Sequence, residues 1–179
     1  MTFWKAHAYG NDFLFVPRES VSTRDASRLA QRMCDRHHGL GADGLILFER
    51  SREGGTMKLI NADGSPAEIS GNGLRCLAAI LLTDGAPEVM TIQTDAGPKT
   101  LELQDRQASR YSFRAAMGQP EQIRQLAIPL AGETVAATAM SMGNPQCVVL
   151  EGPVDQDRLH KLGPALEKPQ LFPDRTNVE

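Results

Sequence analysis

Short apolar and alternating runs recur along this chain: Asp12 to Val16 (DFLFV), Gly44 to Glu49 (GLILFE), Met57 to Asn61 (MKLIN), Val89 to Thr94 (VMTIQT), Lys99 to Gln104 (KTLELQ), Ser109 to Ala115 (SRYSFRA), Thr134 to Met140 (TVAATAM) and Cys147 to Glu151 (CVVLE). Each has the length of a strand, and Gly, Asp and Pro stand between them. The segment TDAGPKT, from Thr94 to Thr100, has the composition of a hairpin connection, and GQPEQ, from Gly118 to Gln122, that of a longer loop. The pattern predicts an antiparallel or mixed sheet.

Three segments carry a helical period instead. One follows Ser22-Thr23 and runs through Leu29 and Met33 to His37, with an N-cap candidate at its start and Gly39 at its end. One follows Asp155, with Leu159, Leu162 and Leu166 on one side and Gly163-Pro164 as a place where it kinks or breaks. Both are amphipathic covers for a sheet. The third differs: from Leu74 to Leu82 nearly every residue is apolar, and Asp84-Gly85 and Pro87 stop it. A helix apolar on every side is buried on every side. Its one charged residue, Arg75, faces a cleft or pairs with an acidic neighbour such as Glu68, and the sequence leaves both open.

Composition narrows the class. The chain has 179 residues, 41% of them hydrophobic, and a formal net charge of −3, enough for one sizeable core or two small ones. Lysines and arginines are scattered, so there is no electrostatic footprint for nucleic acid or an anionic membrane. No run approaches the roughly 18 apolar residues of a membrane span, and the first residues do not form a signal peptide. The expectation is a cytoplasmic protein. Cys34, Cys76 and Cys147 form no C-x-x-C pair, which argues for reduced thiols and against a metal site. The adjacent His37 and His38 lack a third ligand at metal spacing and receive no role.

Candidate chemistry sits where the apolar helix begins. Ser70-Gly71-Asn72-Gly73 leads into it, so the unpaired N–H groups and positive dipole end of a buried helix open at the floor of a cleft, a seat for a carboxylate or phosphate. A plain tight turn is the alternative reading of three such residues. No Lys-Ser or Lys-Thr follows, which disfavours a Walker phosphate loop. A second feature is a repeat: YGNDFLFV from Tyr9 reappears as MGNPQCVV from Met142, Gly143 lying 133 residues after Gly10, and each copy is followed by an amphipathic helix. At that offset the counterpart of Gly71 falls past Glu179, so the chain is expected to stop within its own second half.

Five blocks together, HAYGNDFLFV, RHHGLGADGLILFE, LINADGSPAEISGNGLRC, SMGNPQCVV and FPDRTNVE, resemble in order and spacing the N-terminal and middle part of diaminopimelate epimerases. The resemblance implies an α+β fold: a mixed or antiparallel sheet curled around a central buried helix, in two pseudo-symmetric halves with the active site between them. The second half is expected to be incomplete here. It places the first half at 1–115, with the central helix near 73–82, and the crossover and start of the second at 116–179. It implies cofactor-independent epimerisation of LL- to meso-diaminopimelate in lysine and cell-wall precursor synthesis. No metal is involved, the partner is an amino acid substrate, and a homodimer is an allowed state. It also implies that Asn11, Asn61, the Gly71-Asn72 backbone, Asn144 and Asn177 hold the substrate.

Inverting a Cα centre without a cofactor needs a base on one face and an acid on the other. Two cysteines suit this, because a helix N-terminus lowers a thiol's pKa toward neutrality. The family carries one per half, the first immediately before Gly-Asn-Gly, and here that position is Ser70. A hydroxyl without an adjacent base supplies no comparable anion. Gln146 likewise stands where the family has a histidine in its Gly-Asn-Pro-His-Cys block, and glutamine does not titrate. The readings are thus an epimerase-family enzyme whose two-thiol mechanism is in doubt, a superfamily isomerase or dehydratase using serine, and a non-catalytic amino-acid-binding homologue.

Overall fold

The computed structural model describes all residues except 23, 24, 131, 154, 168, 169 and 174. It divides into two compact units, Met1–Met117 and Gly118–Glu179.

In the first unit the strands are β1 (Trp4–Ala8), β2 (Asn11–Pro17), β3 (Gly44–Ser51), β4 (Gly54–Asn61), the two-residue β5 (Pro66–Ala67), β6 (Val89–Thr94), β7 (Gly97–Gln107) and β8 (Arg110–Ala116), with helices α1 (Ala26–Cys34) and α2 (Gly71–Thr83). They form one sheet in the order β1-β2-β3-β4-β6-β7-β8, with β5 paired to β4. β2 with β3 and β4 with β6 run parallel, and the other pairs are antiparallel. The sheet is mixed.

Alternation along the strands sorts the core onto two faces. Phe13, Phe15, Ile46, Phe48, Met57, Leu59, Met90, Ile92 and Leu101 face α2. Leu14, Val16, Leu45, Leu47 and Ile60 face α1, against Ala26, Ala30, Met33 and Cys34. Helix α2 packs on β1 and on β8, the two ends of the sheet, as well as on β2, β4 and β6. One helix touches both ends only if the sheet curls around it, and Leu74, Cys76, Leu77, Ala78, Ile80 and Leu81 are buried accordingly.

The helix starts at Gly71, so Gly-Asn-Gly is its first turn rather than a loop before it. Ser70 makes this work by capping: its extended backbone stops the helix, and its Oγ accepts from the Gly73 N–H at 3.1 Å. A Cβ at Gly73 would lie 2.7 Å from Ile46 Cδ1, so glycine lets that turn lie against β3. Helix α1 is shorter than its sequence predicts. It begins after Asp25 rather than after Ser22-Thr23, of which Thr23 lies outside the described residues. It ends at Cys34 because the Asp35 carboxylate takes the N–H groups of His37 and His38 and bends the chain into a turn.

The second unit holds β9 (Glu121–Leu130), β10 (Glu133–Ser141), β11 (Pro145–Val148), α3 (Gln156–Leu166) and β12 (Asn177–Val178), with sheet order β12-β11-β10-β9. Asp155 caps α3 by accepting from the Arg158 N–H at 2.6 Å. The helix continues through Gly163-Pro164 without a break, the proline falling in its last turn. Strand β11 ends at Val148, short of the run that the sequence suggests. Residues of the GQPEQ segment open β9, whose Pro129 fits an edge strand.

The repeat holds in topology. β1-β2-α1-β3 is a hairpin, a helix and a strand parallel to the hairpin's second strand, and β10-β11-α3-β12 is the same series. The register agrees as well. Phe13 pairs with Gly44 in the first copy and Gln146 with Asn177 in the second, each residue 133 after its counterpart. The hairpin turns differ. Tyr9 and Gly10, both at positive φ (55° and 87°), make a two-residue turn between Ala8 and Asn11, whereas Ser141 pairs with Pro145 across three residues.

Candidate functional site

The start of β2, the start of β3 and the end of β4 lie side by side at one end of these strands, and the first turn of α2 is joined to the start of β2 by the Asn72–Asn11 hydrogen bond. Asn11 and Asn61 share parity with Phe13 and with Met57 and Leu59, residues that face α2, so both asparagines stand on that face at the strand ends. The first two helical N–H groups, of Gly71 and Asn72, have no intrahelical acceptor. The Gly73 N–H is taken by Ser70 Oγ and the Leu74 N–H by the Ser70 carbonyl at 2.9 Å.

The side chains here form a continuous series. Arg75 donates to Asn72 Oδ1, Asn72 Nδ2 donates to Asn11 Oδ1 at 3.1 Å, and Asn11 Nδ2 donates to Asp43 Oδ2 at 2.8 Å. Asp43 also accepts from the Asp12 N–H at 3.0 Å and from Arg36 at 2.7 Å, and Arg36 reaches Asp12 at 2.6 Å. Lys5 stands 3.1 Å from Asp12. The hydrogen bond from Arg36 holds the Asp12 carboxyl at about 2. Burial raises the Asp43 carboxyl, but the hydrogen bonds from Asn11, the Asp12 N–H and Arg36 outweigh it and leave it below the ordinary carboxylate range.

Arg75 settles between the alternatives that the sequence leaves open. Its guanidinium carbon lies 5.8 Å from the centre of the exposed Tyr9 ring, it bonds Asn72, and its buried Nε has no hydrogen-bond partner among the described residues. Asn61 takes a local role: Nδ2 donates to Ser65 Oγ at 3.0 Å, and Ser65 is held in turn by Asp63.

Ser70 Oγ accepts one hydrogen bond and keeps its proton to donate. Among the described residues no acidic or basic side chain hydrogen-bonds it, so nothing draws that proton away. Nor does another thiol stand in. All three cysteines are buried, and burial pushes Cys34 and Cys76 to about 11 and raises Cys147 as well. Folded protein at pH 8 is therefore expected to react with a colorimetric thiol reagent far more slowly than denatured protein, in which all three react. Prompt labelling of one thiol in the fold would mean that a reactive cysteine exists.

The remaining candidates gather in the second unit. Gln146 Nε2 donates to Asn144 Oδ1 at 2.9 Å, Asn177 stands opposite Gln146 in the parallel register, and its Nδ2 donates to the Pro145 carbonyl at 3.1 Å. Asn144 is the repeat counterpart of Asn11, 133 residues on, but its neighbour is an amide rather than a carboxylate. Sequence reasoning missed Asp43 and Arg36. Asp43 lies in GLGADG, next to Gly44, where it reads as a plain turn residue, and only the parallel pairing of β2 and β3 brings it beside Asn11.

Comparison with known proteins agrees with this architecture. Residues 3–123 match the family model described as diaminopimelate epimerase. Diaminopimelate epimerase of Pelotomaculum thermopropionicum is 39% identical over 198 residues, covering all of this chain and 70% of the relative, and that of Synechocystis sp. is 38% identical with the same coverage. Among solved structures, a probable proline racemase from Agrobacterium radiobacter K84 superposes with a TM-score of 0.66 at 16% identity, over 91% of this chain and 56% of the other. A predicted epimerase from Pseudomonas aeruginosa gives 0.64 at 13% identity, over 92% and 65%. These structures share the fold, and the sequence relatives establish more: the chain belongs to the diaminopimelate epimerase family of isomerases.

Proposed function

We propose that the protein binds diaminopimelate with one α-amino acid centre against the first turn of α2 and takes part in its Cα epimerisation, as a cytoplasmic biosynthetic enzyme. The observation that carries this reading is the first turn itself: two N–H groups without intrahelical acceptors, at the positive end of a buried helix, with Asn72 in that turn bonded to Asn11, and Asn11 and Asn61 on the face of the sheet toward α2. A carboxylate bound there has its charge met by backbone donors. When the Cα proton leaves, the electron pair spreads into that carboxylate, and the same donors stabilise the added charge. Asn11, Asn61 and Asn72 orient the substrate in this reading. Ser70 then donates a hydrogen bond or a proton and does not abstract one. Gln146 orients Asn144 and does not titrate.

Calorimetric titration with meso-diaminopimelate tests the reading. The protein binds, and Asn61→Ala weakens binding about tenfold, the loss of one hydrogen bond to a charged or polar group. Equal affinity in the two proteins would remove the role given to Asn61, and no binding by either would remove the substrate.

A further inference from the structure

The series Arg75–Asn72–Asn11–Asp43 has a direction. An amide side chain can present either its oxygen or its nitrogen to a neighbour, so two amides in contact have two arrangements of nearly equal energy. Here the ends are not free to exchange. Asp43 at one end is an ionised carboxylate, which only accepts, and Arg75 at the other is a guanidinium, which only donates. One arrangement alone satisfies every contact: Asn11 must turn Nδ2 to Asp43 and Oδ1 to Asn72, and Asn72 must turn Nδ2 to Asn11 and Oδ1 to Arg75. Each amide keeps one N–H and one lone pair for a ligand, in positions that the ends dictate. The second unit shows the contrast. Asn144 and Gln146 hydrogen-bond each other, and Asn144 has no carboxylate partner among the described residues.

We infer that Asp43 is a positioning residue for the site at the first turn of α2, fixing which atoms Asn11 and Asn72 present to a bound substrate. Its role as a ligand-orienting group rests on the substrate reading above, and its role in setting the two amides does not. Asp43 touches no reacting atom. It acts through Asn11, and it is held in place by the Asp12 N–H and Arg36. Asn, the closest replacement in shape, offers both donor and acceptor at position 43 and so releases the constraint at that end.

The test compares Asp43→Asn with Arg36→Gln, since both break the Arg36–Asp43 ion pair and only the first changes the group that accepts from Asn11. Side-chain amide resonances of Asn11 and Asn72 are followed by ¹⁵N NMR, and meso-diaminopimelate affinity by calorimetry. Asp43→Asn is expected to move the amide resonances of both asparagines and to weaken binding about tenfold. Arg36→Gln is expected to leave the Asn72 resonances in place and to weaken binding less than Asp43→Asn does. Unmoved resonances in Asp43→Asn, or equal movement in the two variants, would overturn the inference. If the unaltered protein binds no diaminopimelate, the substrate reading fails and the resonances alone decide whether Asp43 sets the amides.

Discussion

Ser70→Cys is expected to raise the exchange of the diaminopimelate Cα proton into D₂O by about 10²–10⁴-fold, the range in which a positioned proton-transfer group contributes. The geometry gives the reason. Position 70 is the N-cap of α2, where a thiol meets the positive end of the helix dipole and unpaired N–H groups, conditions that lower its pKa from about 8.5 toward neutrality. Cys76, further along the same helix, shows the opposite case, since burial pushes it up to about 11. Exchange on one face needs only one base, which takes the proton and returns a deuteron to the same carbon. Inversion needs a second group on the other face. The serine protein should therefore exchange slowly, and Ser70→Cys should exchange fast. Proton NMR in D₂O reads both. Losing the hydroxyl cap costs about 1 kcal/mol of stability, small against the expected gain in rate. Rapid exchange by the protein with Ser70 intact would mean that another base does the work.

That prediction depends on what was legible in the sequence. Strands with continuous or alternating apolar runs could be read, because burial on one or both faces writes itself into the period, and α2 because a helix enclosed by sheet has no polar side. β1 could not: in Trp4–Ala8, Lys5 and His7 point outward, and the apolar partners Trp4, Ala6 and Ala8 are only partly buried. β9 is mostly exposed and carries an edge proline, so its apolar pattern is too weak to show a strand, and its first two residues read as part of the GQPEQ loop. The start of α2 was hidden for another reason. Two of its first three residues are glycines, poor helix formers, and only the Ser70 cap and the close approach to Ile46 reveal why they are helical. In the site, Asn11, Asn72 and Ser70 were visible through motif and resemblance. Asp43 and Arg36 were not, because their role arises from the parallel alignment of β2 and β3 and from a turn after α1, contacts that span 24 to 32 residues of chain.

Leu77→Ala is expected to cost the first unit about 2–5 kcal/mol, the range for truncating an enclosed leucine. Leu77 has no exposed surface and sits midway along α2, in the cluster that includes Phe13, Phe15, Ile46 and Leu101. Strands close on the helix from both ends of the sheet, so the surroundings have little freedom to collapse into the space left behind, and the upper part of the range applies. Against a total of about 5–15 kcal/mol for a domain, such a loss is a large share. The chain's single tryptophan supplies the readout: Trp4 packs edge-on against Phe48, ring centres 5.7 Å apart, within the same unit. With a urea slope of about 1–3 kcal/mol per molar, the unfolding midpoint seen by Trp4 fluorescence should fall by at least 1 M. Leu159→Ala, at a half-exposed position of α3 in the other unit, should leave that midpoint where it is. A shift below about 0.3 M for Leu77→Ala would mean that α2 is not enclosed, and the anion seat at its first turn would then lack the dry, fixed helix on which the proposed chemistry depends.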